Sequence, residues 1–178
     1  MIHQSFIALA LLAAASLVAG FFAYIYNLKR QFYLLLWTAG WGLFALHYLG
    51  PALQPWLLNG PLETALDRWI YALAALCFFL GAQIYSQRKP WYIPAAIVAA
   101  VLGLWALANG FGWFTVVPVF IPSALLFAAV AVVFWQESRR QETLADRMLA
   151  VSFLVWAALR IALFVVFRNS PEDLRVSA

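Results

Sequence analysis

Six long apolar runs, separated by short loops whose positive charge alternates, constrain this chain more than any other feature. Of its 178 residues, 66% are hydrophobic and 10% are charged. A water-soluble core of this size cannot hide so much apolar surface, whereas a bilayer takes it up directly. A spanning helix needs about 20 mostly apolar residues. The runs meet that length and do not alternate in the two-residue pattern of a lipid-facing β-barrel, so the expected fold is all-α, a polytopic bundle of six transmembrane helices. The first 20 residues contain no Lys or Arg, and the apolar run continues to Tyr26. They therefore read as a spanning helix, not as a cleaved signal peptide.

The expected spans run from about Ser5 to Asn27, Phe32 to Leu53 with a break at Gly50-Pro51, and Pro61 to Ser86. The remaining three run from Pro94 to Gly110, Trp113 to Phe134 and Asp146 to Phe167. Residues 1–168 form one domain in this reading, and 169–178 a short polar tail. The first, third and fifth loops hold Lys29, Arg30, Arg88, Lys89, Arg139, Arg140 and Arg147. The second holds Arg68 against Glu63 and Asp67, and the fourth holds no charge. Positive loops remain on the cytoplasmic side, so both termini are expected outside the inner membrane. Trp56, Trp69, Trp91, Tyr92, Trp113 and Trp135 fall near span ends, as an interfacial aromatic belt requires.

A net charge of +4 and a pI near 9.5 come from basic pairs between apolar runs. They read as topology signals and lipid-headgroup contacts, not as a nucleic-acid surface. The one cysteine, Cys77, sits within an apolar run and reads as a packing residue. His3 lies in the terminal tail, so it and His47 do not make a haem site, which needs well-placed axial ligands on facing helices, and no residue set reads as a metal or cofactor site. Phosphate loops, zinc-protease motifs, nucleophile elbows and buried carboxylate pairs are all absent by sequence, so no catalytic residue is expected.

Helix contacts are legible in outline. Ser16 and Gly20, and Ala95, Ala99 and Gly103, have the four-residue spacing of small residues that lets helices approach in lipid. Pro118 and Pro122 each remove a backbone donor and predict a kink in the fifth span. Gln83 offers an interhelical hydrogen bond. Trp37 and Trp41 share one face of the second span and read as core packing.

The polar residues suggest a site. Arg160 lies inside the sixth span, where an arginine costs roughly 2.5–3.5 kcal/mol on insertion scales. Helical rise places it about 20 Å above the inner end, a height that His47 shares. Glu63, Asp67, Tyr48 and Tyr71 fall in the same outer layer, with Trp41 and Trp156 deeper. These residues are expected to line a shallow outward-facing pocket. In it Arg160 holds an anionic ligand group or is held by Asp67. The competing arrangement has Arg160 snorkelling outward and His47 simply hydrogen-bonded.

Three segments carry a resemblance. They are Lys29-Arg30-Gln31-Phe32-Tyr33 leading to Leu36-Trp37-Thr38-Ala39-Gly40-Trp41; Phe79-Leu80-Gly81-Ala82-Gln83-Ile84-Tyr85 leading to Arg88-Lys89-Pro90; and Phe134-Trp135-Gln136-Glu137-Ser138-Arg139-Arg140 with Arg147 and Trp156-Ala157-Ala158-Leu159-Arg160. Together they resemble the amino-terminal multi-span input regions of bacterial sensor histidine kinases and diguanylate cyclases. The resemblance implies a non-catalytic signal-input module. Such a module binds a small or lipid-soluble ligand, works as a homodimer and transmits by helix displacement. In that family a further span and a cytoplasmic output domain follow, and this sequence stops before them. A basic turn leads to Trp41 and His47, and another to Trp156 and Arg160, a faint internal echo that also suits a transporter of three-helix halves. The alternative reading is a small solute-binding transport subunit. Size, six spans, and Ala10 and Ala14 resemble vitamin-uptake binding subunits. A lipid-modifying enzyme is disfavoured by the expected lack of buried acids and of a histidine cluster.

Overall fold

The computed structural model describes residues 2–53, 60–111 and 120–169. Six α-helices follow in chain order: α1 (Ile2–Lys29), α2 (Phe32–Leu53), α3 (Pro61–Tyr85), α4 (Tyr92–Gly110), α5 (Phe120–Gln141) and α6 (Leu144–Asn169). No strand occurs among the described residues. Among the described residues five helices, α1 to α5, are long and apolar enough to cross a membrane. Large apolar side chains face outward along the helices: Leu17 is 76% exposed on α1, Ile93 77% on α4 and Leu144 71% on α6. A soluble chain would hide these, so the outer surface is one suited to lipid.

The chain divides into two compact units, Met1–Phe114 and Thr115–Ala178. In the first, α2 packs between α1 and α3, and α3 between α2 and α4. Half of the apolar window of α3 is buried against 11% of that of α1, which makes α3 the central helix of this unit. The second unit is the α5–α6 hairpin.

Helix α1 starts at Ile2 and α6 at Leu144, three and two residues before the expected Ser5 and Asp146, and three further limits differ from the sequence expectation. Helix α2 continues through Gly50-Pro51 to Leu53 instead of breaking there. A proline in the last turn sacrifices one backbone donor, which a helix end tolerates. Helix α4 starts at Tyr92, two residues before Pro94. Helix α5 runs on through the charged stretch to Gln141, seven residues past Phe134, so the turn into α6 is only Glu142-Thr143. That extension buries Glu137 and Ser138. Arg139 in the same stretch lies 5.8 Å over the Trp135 ring. Of the two prolines expected to kink α5, Pro118 lies outside the described residues and Pro122 stands near the start of the helix.

The three tight turns share one backbone device. Among the described residues Arg30, Gln87 and Glu142, following α1, α3 and α5, are the non-glycine residues with positive φ, at 51°, 56° and 54°. Gln87 is the left-handed residue of a Schellman cap: its N–H reaches Ile84 O at 3.0 Å, and that of Arg88 reaches Gln83 O at 2.9 Å. The side chain of Gln83 then links the turn to the next helix, its Oε1 accepting the Trp91 N–H at 3.0 Å. Across the α5–α6 turn, the Thr143 hydroxyl donates to the Asp146 carboxylate, a side-chain bond between the residue before α6 and its first turn.

Candidate functional site

Two seams run along α3, and they are built from different residues. On the α2 side they are aromatic. Tyr33, Trp37, Trp41, Phe44 and His47 recur every three to four residues on α2, and Tyr71, Phe78 and Tyr85 every seven on α3. These spacings put each set on one helix face. The rings meet in sequence: Tyr33 with Tyr85 (5.2 Å between centroids), Trp41 with Phe78 (5.5 Å), Phe44 with Phe78 (5.7 Å) and Phe44 with Tyr71 (4.9 Å). Most of these pairs are edge-to-face, the favoured ring geometry.

Two glycines lock the register. Phe78 of α3 fills the space over Gly40 of α2, where an added Cβ would come within 3.0 Å of the ring. In the opposite sense, Trp37 of α2 fills the space over Gly81 of α3, where a Cβ would collide with the indole. Each helix thus supplies both a knob and a hole. A slide of one residue, about 1.5 Å, would press both rings against side-chain-bearing positions.

The α4 side is made of small residues, as the Ala95, Ala99 and Gly103 spacing suggested. The Trp69 indole lies over Gly103 and donates to Ala99 O at 3.0 Å. Ala106 is buried, and Gly110 approaches the backbone of Pro61. Trp69, expected in the interfacial belt, is therefore a packing residue. Ser16 and Gly20, by contrast, face outward on α1 with nothing within 4 Å of Gly20. The α1 contact instead uses Ala8, Ala15 and Phe22, the last 5.2 Å from Trp37.

The aromatic seam ends in polar residues where α2 ends and α3 begins. His47 Nδ1 lies 2.6 Å from Asp67 Oδ1, with the two side chains 18% and 33% exposed. The His47 ring is 5.0 Å from both Tyr71, edge-on, and Tyr48. Tyr71 is buried. Glu63 stands one helical turn before Asp67, facing Gly50 of α2. Of the residues expected to line a pocket, His47, Asp67, Tyr48 and Tyr71 are therefore brought into contact. Glu63 sits beside them, and Trp41 lies lower in the same seam. The pair gives the cluster an acceptor and a proton-bearing ring that reach solvent, backed by a phenol that does not.

Arg160 and Trp156 belong to the other unit. Arg160 is half-buried on α6, and Trp156 stacks in the α5–α6 seam against Phe127 (5.7 Å), which in turn stacks on Phe153 (6.1 Å). The partner shown for Asp67 is His47. Cys77 is half-buried in α3, in keeping with a packing role. No set of three metal-ligating side chains occurs among the described residues.

One expectation is corrected. Acids are buried in this chain: Glu137 is 3% and Asp146 1% exposed. Both are held by neighbours, Glu137 by Gln141 and 4.0 Å from Arg140, and Asp146 by Thr143. These local bonds satisfy the two acids on either side of the α5–α6 turn, and the sequence signal for Asp146 was the Thr-x-x-Asp start of α6. The reciprocal glycine holes were also missed. The clue was the heptad of Tyr71, Phe78 and Tyr85 facing glycines of unremarkable spacing. No known family, curated protein or solved structure matches the chain.

Proposed function

We propose that this chain is a non-catalytic sensory input module of a bacterial inner membrane, with six spans and its amino terminus outside. The observation that carries the reading is the His47–Asp67 pair, part-exposed at one end of a buried ring ladder whose other end, Tyr33 against Tyr85, adjoins the basic turns. A small or lipid-soluble ligand that separates or tightens the pair shifts the cost of the Tyr71 and Phe44 packing beneath it. The reciprocal glycine holes make α2 and α3 respond as one body instead of sliding past each other. Signalling then requires only that the ligand bind two positions of this body unequally. The charge pattern of the loops supports the orientation. The likeness of the three quoted segments to histidine-kinase and cyclase input regions supports the signalling role.

The test is hydrogen exchange on the full chain in nanodiscs, with and without small organic acids, organic amines and quinones. A sensor shows altered exchange at residues 44–50 and 63–71 together with the distant turn at 86–91, and His47→Ala abolishes both changes. A response confined to the outer end rejects signal transfer. Uptake of the same compound into vesicles selects the transport-subunit reading. No response to any of the three classes removes the cluster as a ligand site. Cysteine labelling tests the topology separately: Gln31→Cys and Gln87→Cys are expected to react only from the cytoplasmic face.

A further inference from the structure

The polar cluster where α2 meets α3 turns hydrogen-bond acceptors toward solvent, and its charges do not cancel. Asp67 is committed twice. Its Oδ1 accepts the Nδ1–H of His47 at 2.6 Å, and the charge of Arg68, next in the chain, offsets its own. With the proton on Nδ1, the lone pair of the neutral imidazole is on Nε2. Nε2 has no hydrogen-bond partner among the described residues, and the His47 side chain is 18% exposed. Glu63 precedes Asp67 by one helical turn on the same face of α3. Its Oε1 is 3.9 Å from where a Cβ on Gly50 would stand, one turn after His47. Among the described residues the half-buried Glu63 carboxylate has neither a hydrogen-bond nor an ion-pair partner. Arg68 is turned away from it, since residues five apart stand about 140° apart round a helix. The connector 54–59 holds no charged residue, and Lys29, Arg30, Arg88 and Lys89 follow the far ends of α1 and α3. Because α2 ends where α3 begins, the negative end of one helix dipole offsets the positive end of the other. One negative charge, on Glu63, is left for a ligand to neutralise.

We propose that this cluster binds a small organic monocation with N–H donors, a protonated primary amine, whose ammonium bridges the Glu63 carboxylate and Nε2 of His47. The rings of His47 and Tyr48, 5.0 Å apart, give its apolar body a wall, and an aromatic face adds attraction for a cation. An ammonium satisfies both acceptors at once, and its bond to a carboxylate is of the strong, charge-assisted kind. An anionic ligand would face two carboxylates. A neutral alcohol would satisfy Nε2 and leave Glu63 uncompensated. No set of three metal-ligating side chains occurs among the described residues, so a bare metal ion lacks a shell. This ligand class rests on the reading of the cluster as the sensing site.

The experiment is calorimetric titration of the full chain in nanodiscs of zwitterionic lipid at neutral pH, with empty nanodiscs as the blank. The probes share one ring and differ in charge: benzylamine, benzyl alcohol and benzoate. Benzylamine is expected to bind about 10-fold more tightly than either of the others. Glu63→Gln should remove most of that preference, and the charge-preserving Glu63→Asp should keep most of it. Benzoate or benzyl alcohol binding as tightly as benzylamine overturns the proposal, as does an undiminished preference in Glu63→Gln or no binding of benzylamine at all. The comparison of probes on the unaltered chain decides the matter even if a variant does not insert. A hydrogen-exchange response to quinones or organic acids without benzylamine binding would sink the amine and keep the sensor. Benzylamine binding with no exchange change at 86–91 would keep the amine site and reject signal transfer.

Discussion

The two faces of α3 solve one problem in opposite ways. Lipid tails are as apolar as leucine, so burial alone does not drive helices together in a bilayer, and close packing has to do it. Toward α4 the chain removes side chains, and Ala99, Gly103, Ala106 and Gly110 let the backbones approach. Toward α2 it adds them, and Trp37 and Phe78 fill holes left by Gly81 and Gly40. The first seam is held by backbone proximity at Gly110 and by one ring, Trp69 over Gly103. The second is keyed, because each large ring has one place to go. The keyed seam ends in the part-exposed His47–Asp67 hydrogen bond, so the molecule joins its reciprocal ring packing to its polar cluster.

The sharpest break of this contrast is Gly81→Leu. It drives a side chain into the Trp37 indole and should cost 3 kcal/mol or more, about the upper range for overpacking. Phe78→Ala empties the matching hole and should cost about 3–5 kcal/mol. Both are read by reversible unfolding in mixed detergent, and a loss under 1 kcal/mol in either would remove the key. Gly103→Ala probes the other seam: its Cβ would come within 2.9 Å of the Trp69 Nε1, which a small shift of the indole relieves, so a cost of about 1 kcal/mol is expected in the same assay. Trp69→Phe removes only the bond to Ala99 O and should cost about 0.6 kcal/mol beyond its packing loss, the average for such bonds in membranes. The smallest effect is a gain. Gln87→Gly relieves a left-handed backbone worth roughly 1–2 kcal/mol against an added unfolded-state entropy of about 0.5–1 kcal/mol, so stability should rise by about 0.5 kcal/mol. Gly20→Ala serves as the blank, since nothing approaches that position.

Much of this was legible in the order of residues. Helix-length apolar runs gave six helices because backbone groups in lipid must bond within their own segment. The spacing of Ala95, Ala99 and Gly103 revealed the α3–α4 seam, and the same spacing at Ser16 and Gly20 misled. The difference is not chemical: both pairs are small, but α1 turns its Ala8 and Ala15 face inward, and spacing does not state azimuth. The polar cluster was read by height alone, which correctly grouped His47, Asp67, Tyr48 and Tyr71 because α2 and α3 are sequence neighbours joined by a short connector. Height could not pair side chains, and the same argument that placed Arg160 beside them gave no reason to choose His47 as the partner of Asp67. Glu137 was missed as a buried acid because a charged run normally ends a span. Here the helix continued through it, and Arg140 and Gln141 supplied partners one turn away.

Sequence alone determined that the chain is helical and lipid-compatible, where its basic turns fall, and which residues recur on one helix face. These follow from local periodicity and from the cost of unbonded backbone in an apolar medium. Tertiary structure decided which face meets which: that Gly40 and Gly81 are holes, that Ser16 and Gly20 are not, that His47 holds Asp67, and that α5 and α6 form a unit of their own. Rotation about a helix axis is set by the sum of many small dispersion contacts with another segment, and no single segment carries that sum.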